Sequence, residues 1–295
     1  MEEIMDIKHR TDSGFNADAI DHTTAADLAE VGSDKWTRYP GCIGAFIAEM
    51  DYGLAPCIQE AIDNACDHCK LGYIPDPWKQ RVAEACAGWQ RTHYGWNVDP
   101  SIIRVVPDVL EAYEIFLREL VGAGNSVIVP TPAYMPFLSV PKLYDVNVIE
   151  IEMLQSSDTE TGEAQWLFDF DAIERAFAAG CHAFVLCNPH NPIGKVLTLE
   201  EELRLSDLAA QYDVRIFNDE IHAPFVFEGK HIPFPTISEQ AALQSMTATS
   251  ASKSFNIPGT KCAQVLLTNP TDRDMWSVKA EWSEHQTATI GAIAT

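Results

Sequence analysis

The chain has 295 residues, 46% of them hydrophobic and 21% charged, with 16 Gly and 17 Pro. That is enough to build a buried core as one large α/β domain or a large and a small one, and it is the composition of neither a disordered nor a repeat protein. Forty-three acidic residues against 20 basic ones leave a net charge of −23, which repels phosphate backbones and anionic lipid and speaks against nucleic-acid or membrane binding.

At the amino end, Glu2, Glu3, Asp6 and Lys8 interrupt isolated apolar residues. Neither a signal nor a transit pattern results, and no stretch is apolar for long enough to span a bilayer, so a cytoplasmic protein is expected. Residues 1–45 read as an arm and small-domain segment, with 9–21 polar and mobile, and residues 46–295 as the large domain. Helical periodicity predicts helices over 58–70, 78–92 and 109–121, followed by a strand at 127–129. The alternation continues with strand 146–153, helix 170–179, strand 183–187, helix 199–212 and strands 214–218, 245–248 and 264–267. Apolar runs such as Ala183-Phe-Val-Leu-Cys187, set between helices, indicate strands buried on both faces of a mostly parallel sheet. A three-layer α/β fold follows. Residues 271–295 read as helix, and the sequence stops at Ala-Ile-Ala-Thr295 without a stop signal or a closing strand, so a fragment is expected.

Eight cysteines are scattered without a disulfide framework and are expected to be reduced and mostly buried. Cys66-Asp-His-Cys69 could in principle hold zinc or cycle as a dithiol, but it has no second ligand pair nearby. Cys57, Ile58, Ala61, Ile62, Ala65, Cys66 and Cys69 recur at helical spacing, which reads as small apolar residues on a buried face.

Ligands of an open parallel sheet bind beyond the carboxyl ends of its strands. Four such ends carry unusual sequences: Pro130-Thr-Pro-Ala-Tyr134, Asn188-Pro-His-Asn-Pro-Ile-Gly194, Asp219-Glu-Ile-His222 and Thr249-Ser-Ala-Ser-Lys253. Each alone could be a turn, a cap or a solvated charge. Together they supply an amine for a Schiff base, an acid to keep a pyridine nitrogen protonated, Asn and His for a phenolic oxygen, a stacking ring, and hydroxyls for a phosphate.

This set resembles the pyridoxal-phosphate enzymes of the class I/II aminotransferase type, fold type I, and within them the MalY/PatB branch of cystathionine β-lyases and cysteine C–S lyases. Asp219-Glu-Ile-His222, with His where typical aminotransferases have Tyr, and Ser252-Lys-Ser-Phe-Asn-Ile-Pro-Gly259 carry the likeness. Ile47-Ala-Glu-Met-Asp-Tyr52 and Leu71-Gly-Tyr73 extend it towards the amino end. The resemblance implies a three-layer α/β/α domain that binds pyridoxal 5′-phosphate through Lys253, the residue that also removes the α-proton. It implies that Asp219 pairs with the pyridine nitrogen, that Asn191 and His222 face the phenolic oxygen, and that Tyr134 stacks on the ring. Phosphate would meet Ser250, Ser252, the backbone amides of Val109 and Leu110, and Lys261, together with Tyr73 from the second subunit of a homodimer. Asn188 reads as a turn former.

Three departures accompany the likeness. Asp108 stands where the family tends to have Gly, and would repel phosphate unless it turns away as a helix cap. Lys261 replaces a frequent Arg, keeping the charge without the planar fork. The carboxyl-terminal segment with its carboxylate-gripping Arg has no counterpart in these residues, so the sequence is expected to lack the small domain that segment belongs to. The expected reaction splits a sulfur amino acid, cystathionine or a cysteine S-conjugate, into thiol, pyruvate and ammonia. An aminotransferase would use the same residues, and a non-catalytic binding chain is the reading from a different class. A nicotinamide-binding domain is disfavoured because no GxGxxG follows an early strand.

Overall fold

The computed structural model of the chain describes residues 21–157 and 164–295. The polar segment expected over 9–21 lies, except for its last residue, outside the described residues. Nine strands are found among those described: β1 (Ile103–Val106), β2 (Ser126–Thr131), β3 (Asn147–Glu152), β4 (Leu154–Ser157), β5 (Ala164–Leu167), β6 (Ala183–Cys187), β7 (Arg215–Asp219), β8 (Ser245–Thr249) and β9 (Ala263–Leu266). Seven of them form one sheet in the order β1-β9-β8-β7-β6-β2-β3, and β4 and β5 make a separate hairpin. The run from β3 to β8 is parallel. β9 runs antiparallel to both β8 and β1.

The apolar strand runs are explained by period-two alternation between two cores. On β6, Phe184 and Leu186 join Phe177, Leu205 and Phe234 on one face, while Val185 and Cys187 join Tyr113, Phe116 and Trp276 on the other. On β7, Ile216 and Phe217 divide in the same way. Helices seal both faces and start where the side chains can cap them. Thr198 and Glu201 form a capping box for Leu199–Gln211, Asp169 caps Phe170–Ala178, and Asp108 caps Val109–Phe116. No helix among the described residues is long and apolar enough to cross a membrane.

Three expectations need correction. β1, β4 and β5 were not anticipated from the sequence: β1 is a four-residue edge strand interrupted by Arg104, and the Gln155, Ser156 and Ser157 stretch of β4 has no apolar alternation to reveal it. The helix expected over 271–295 is three helices, Pro270–Lys279, Glu281–Glu284 and Thr289–Ala294, broken at Ala280 and again over 285–288. Among the cysteines, which are all free, Cys86, Cys181, Cys187 and Cys262 are buried but Cys42, Cys57, Cys66 and Cys69 are exposed. Helix Pro56–Asp67 buries only Ile58 and Ala65, so the stripe that periodicity marks is narrower than expected. Cys69 falls beyond the helix in a left-handed conformation, at φ 53°.

The last helix braces the segment that carries Lys261. Ala288 N donates to Lys261 O at 3.1 Å, and a Cβ added at Gly291 would stand 2.2 Å from Thr260 O and 2.9 Å from Cys262 Cβ. A carbonyl fixed in backbone cannot yield to it. Gly291→Ala is therefore expected to destabilise the chain by about 1–3 kcal/mol, read as a lower urea midpoint. An unchanged midpoint would show that this contact relaxes freely.

Candidate active site

Strand register brings the chemistry together. Cys187 on β6 pairs with Asp219 on β7, and Asp219 with Ala248 on β8, so these strands end at one edge and their loops surround a cleft of about 620 Å³. Asp219, Lys253, Tyr134, Asn191, His222, Ser250, Ser252, Val109, Leu110 and Lys261 all line it. Of the residues expected at the site, Tyr73 alone lies elsewhere. It is 92% exposed, and its backbone bridges to that of Ala288.

Asp219 forms the floor of the cleft. It is 5% exposed, and its Oδ1 accepts the Ile221 N–H at 3.0 Å. Burial pushes its carboxyl up to about 7; the Ile221 hydrogen bond opposes this, Glu220 adds to it and Lys253 opposes it. Alternation along the chain sends the neighbouring Glu220 the other way, where its Oε1 accepts from Asn218 Nδ2 at 2.8 Å and from Phe234 N at 2.9 Å.

Lys253 sits in a tight turn after β8. Ser250 Oγ donates to Cys262 O at 2.8 Å and accepts the Ser252 N–H at 3.0 Å, which fixes the turn and commits the Ser250 hydroxyl hydrogen to backbone. Ser252 is left as the freer hydroxyl at this end. Asn256 then ties the turn to a distant loop: its Nδ2 donates to Met50 O and Gly53 O, and its Oδ1 accepts from Met50 N. This tether sets residues 45–48 as the opposing wall and brings the Glu49 charge towards Lys253. Burial lowers the Lys253 ammonium from its ordinary value, Glu49 and Asp219 partly restore it, and Lys261 lowers it again. Glu49 and Asn256 had no assigned role in the sequence, although both stand inside motifs that were singled out.

The side walls are aromatic and polar. The Tyr134 ring is 38% exposed and meets Phe137 edge-on at 5.5 Å. Burial, followed by the charges of Asp219 and Asp108, raises its phenol, which therefore stays protonated at neutral pH. His222 begins the short turn Ala223–Phe225, and burial together with Lys253 lowers its imidazolium and favours the neutral ring. Asn188 is outside the cleft and does the work of a turn residue: Nδ2 donates to Glu202 Oε1 at 2.7 Å and Oδ1 accepts the Leu197 N–H at 3.1 Å.

One end of the cleft is shaped for an anion. Val109 and Leu110 open a helix, where backbone N–H groups have no acceptor within the helix. Asp108 does cap this helix, its Oδ1 accepting the Glu111 N–H at 2.9 Å. It does not turn away from the cation, however, because its Oδ2 receives Lys261 Nζ at 2.9 Å. The two departures from the resemblance are thus an ion pair with each other.

Comparison with known proteins adds independent findings. The family model for aminotransferases of class I and II matches residues 47–292. The cystathionine β-lyase of Corynebacterium glutamicum is 35% identical over 88% of this chain and 67% of its own length. The cystathionine β-lyase PatB of Bacillus subtilis is 29% identical over 84% of this chain and 64% of its own. Among solved structures, cystalysin from Treponema denticola, which contains pyridoxal 5′-phosphate, superposes with a TM-score of 0.81 at 27% identity, over 92% of this chain and 70% of that one. The chain spans about two thirds of the length of these relatives.

The raised carboxyl of Asp219 has a measurable consequence. Its unfolded value is 3.8 and its folded value about 7, so between these the folded chain keeps a proton that the unfolded chain has lost, and stability falls as pH rises through that window. Asp219→Asn keeps the acceptor for Ile221 but cannot ionise. It is expected to stabilise the cofactor-stripped chain by about 4 kcal/mol at pH 8 and to leave it nearly unchanged at pH 4, measured by urea denaturation. A variant no more stable than the parent at pH 8 would contradict the assigned burial cost.

Proposed function

Because the chain belongs to the class I and II aminotransferase family, we propose that its cleft binds pyridoxal 5′-phosphate and that the protein is a carbon–sulfur β-lyase. Its substrates are cystathionine or cysteine S-conjugates, which it hydrolyses to a thiol, pyruvate and ammonia. The names of the lyase relatives support the reaction class, and the observation that carries the reading is Lys253 facing the buried Asp219 across one cleft with an anion-binding helix start at its end.

The residues fit such a cofactor. Asp219 Oδ1 is taken by Ile221, and its other oxygen has no hydrogen-bond partner among the described residues, so a buried carboxylate is available to a protonated ring nitrogen. That charge would relieve the burial that otherwise raises Asp219. Bound here, the cofactor would supply an electron-withdrawing ring able to take up the electron pair released at a substrate's α-carbon. Lys253, whose ammonium burial lowers from its ordinary value, gives up its proton more readily, as covalent attachment and, once freed, removal of the α-proton both require. Tyr134 presents a flat face from the wall, and the neutral His222 and Asn191 offer hydrogen bonds to an oxygen on the ring. The phosphate would lie on Val109, Leu110, Ser252 and Lys261.

The working protein is proposed to be a cytoplasmic homodimer. Tyr73, standing almost wholly exposed on a backbone pinned to Ala288, suits a contribution to the second subunit's phosphate site. A role in methionine biosynthesis follows from homocysteine as product.

Two experiments test the proposal. Borohydride reduction of the cofactor-loaded protein followed by peptide mapping is expected to place the pyridoxyl group on Lys253; another lysine, or none at saturating cofactor, would overturn the assignment. In assays of the full-length protein with cystathionine and a panel of cysteine S-conjugates, thiol and pyruvate release is expected to exceed amino transfer to any keto acid. Dominant transamination without thiol release would make it an aminotransferase.

A further inference from the structure

The phosphate end of the cleft holds an internal anion. Lys253 and Lys261 are the only lysines or arginines lining the cleft among the described residues, and Lys261 Nζ lies 2.9 Å from Asp108 Oδ2. Neither partner can withdraw as a unit. Asp108 is anchored through Oδ1, which caps the helix at Glu111 N. The Lys261 backbone is left-handed, at φ 56°, and its carbonyl accepts the Ala288 N–H. The neighbouring Cys262 carbonyl is bonded to Ser250 Oγ. Only the Lys261 side chain is free to swing. The Ser250 hydroxyl hydrogen is also spent on that carbonyl, which removes one donor an incoming anion would otherwise use. A phosphate seated on the Val109 and Leu110 amides would therefore meet one ammonium already neutralised by a fixed carboxylate. That carboxylate acts within the cleft, since its charge is felt at the Tyr134 phenol.

We propose that Asp108 competes with the cofactor's phosphate for Lys261 and so sets how tightly the cleft retains the cofactor, an inference that rests on the pyridoxal-phosphate reading of the site. Loading is then an exchange in which Lys261 Nζ passes, wholly or in part, from Asp108 to the phosphate, and release is the reverse. Asp108 thereby weakens the hold of the cleft on the phosphate and makes occupancy more dependent on cofactor supply.

The test measures binding without catalysis or covalent attachment, using pyridoxine 5′-phosphate, which has no aldehyde, and calorimetry on the stripped protein. Asp108→Asn keeps a good helix cap and removes the charge. It is expected to tighten pyridoxine 5′-phosphate about tenfold, the scale of one partly exposed charge at contact range, and to leave unphosphorylated pyridoxine unchanged. Lys261→Gln is expected to weaken the phosphate ligand and, combined with Asp108→Asn, to remove most of the gain. Equal affinity in the parent and Asp108→Asn, or a gain that persists in full without Lys261, would overturn the competition while leaving the cofactor site intact. If neither the parent nor Asp108→Asn binds pyridoxine 5′-phosphate, the cofactor reading fails and the inference with it.

Discussion

The site is organised around one unfavourable burial: a carboxylate at the end of a central strand, only 5% exposed where it lines the cleft. Asp219 is placed there by the register of β6, β7 and β8, and the two cores on either side of the sheet keep β7 from shifting. A group that is costly to ionise by itself becomes useful when a cation is brought to it, because the same dry surroundings that penalise the lone charge strengthen the pair. Among the described residues no such cation is in direct contact with Asp219, since Lys253 acts on it without forming an ion pair. A ring nitrogen that can be protonated supplies the missing partner.

The rest of the cleft is arranged by charge along its length. At the centre, Lys253 is shifted towards its neutral form by burial, and Glu49 and Asp219 limit that shift. At the far end the helix start and Lys261 attract an anion, and Asp108 moderates the attraction. The fold decides both arrangements over long distances in sequence. Asn256 is 206 residues from Met50, yet its side chain fixes the wall that carries Glu49 past Lys253.

Much of this was legible in the sequence because the central strands are buried on both faces. Ala183–Cys187 was readable as a strand to the residue, and β7 and β8 within one residue at each end, since an uninterrupted apolar run between two helices has few other uses. Edge and hairpin strands escaped for the opposite reason. β1 is only four residues long and its apolar run is broken by Arg104, while β4 is wholly exposed and has no apolar signature to read. The cysteines of helix Pro56–Asp67 show a related limit, since periodicity identifies a stripe but does not say how much of it another element covers. Residues that stand directly after strands could be picked out by chemistry, whereas Ser250's commitment to Cys262, the Asn256 tether and the pairing of Asp108 with Lys261 depend on side chains meeting across the fold.

The most direct test of the account is the titration of Asp219 itself, followed through its carboxyl carbon by NMR in the stripped and the cofactor-loaded protein. Asp219 is expected to take up its proton near pH 7 without the cofactor and to remain ionised far below that once a protonated ring nitrogen is beside it. An Asp219 that titrates in the ordinary carboxylate range without the cofactor, or whose titration does not move on loading, would contradict the claim that its burial is what the site is built on.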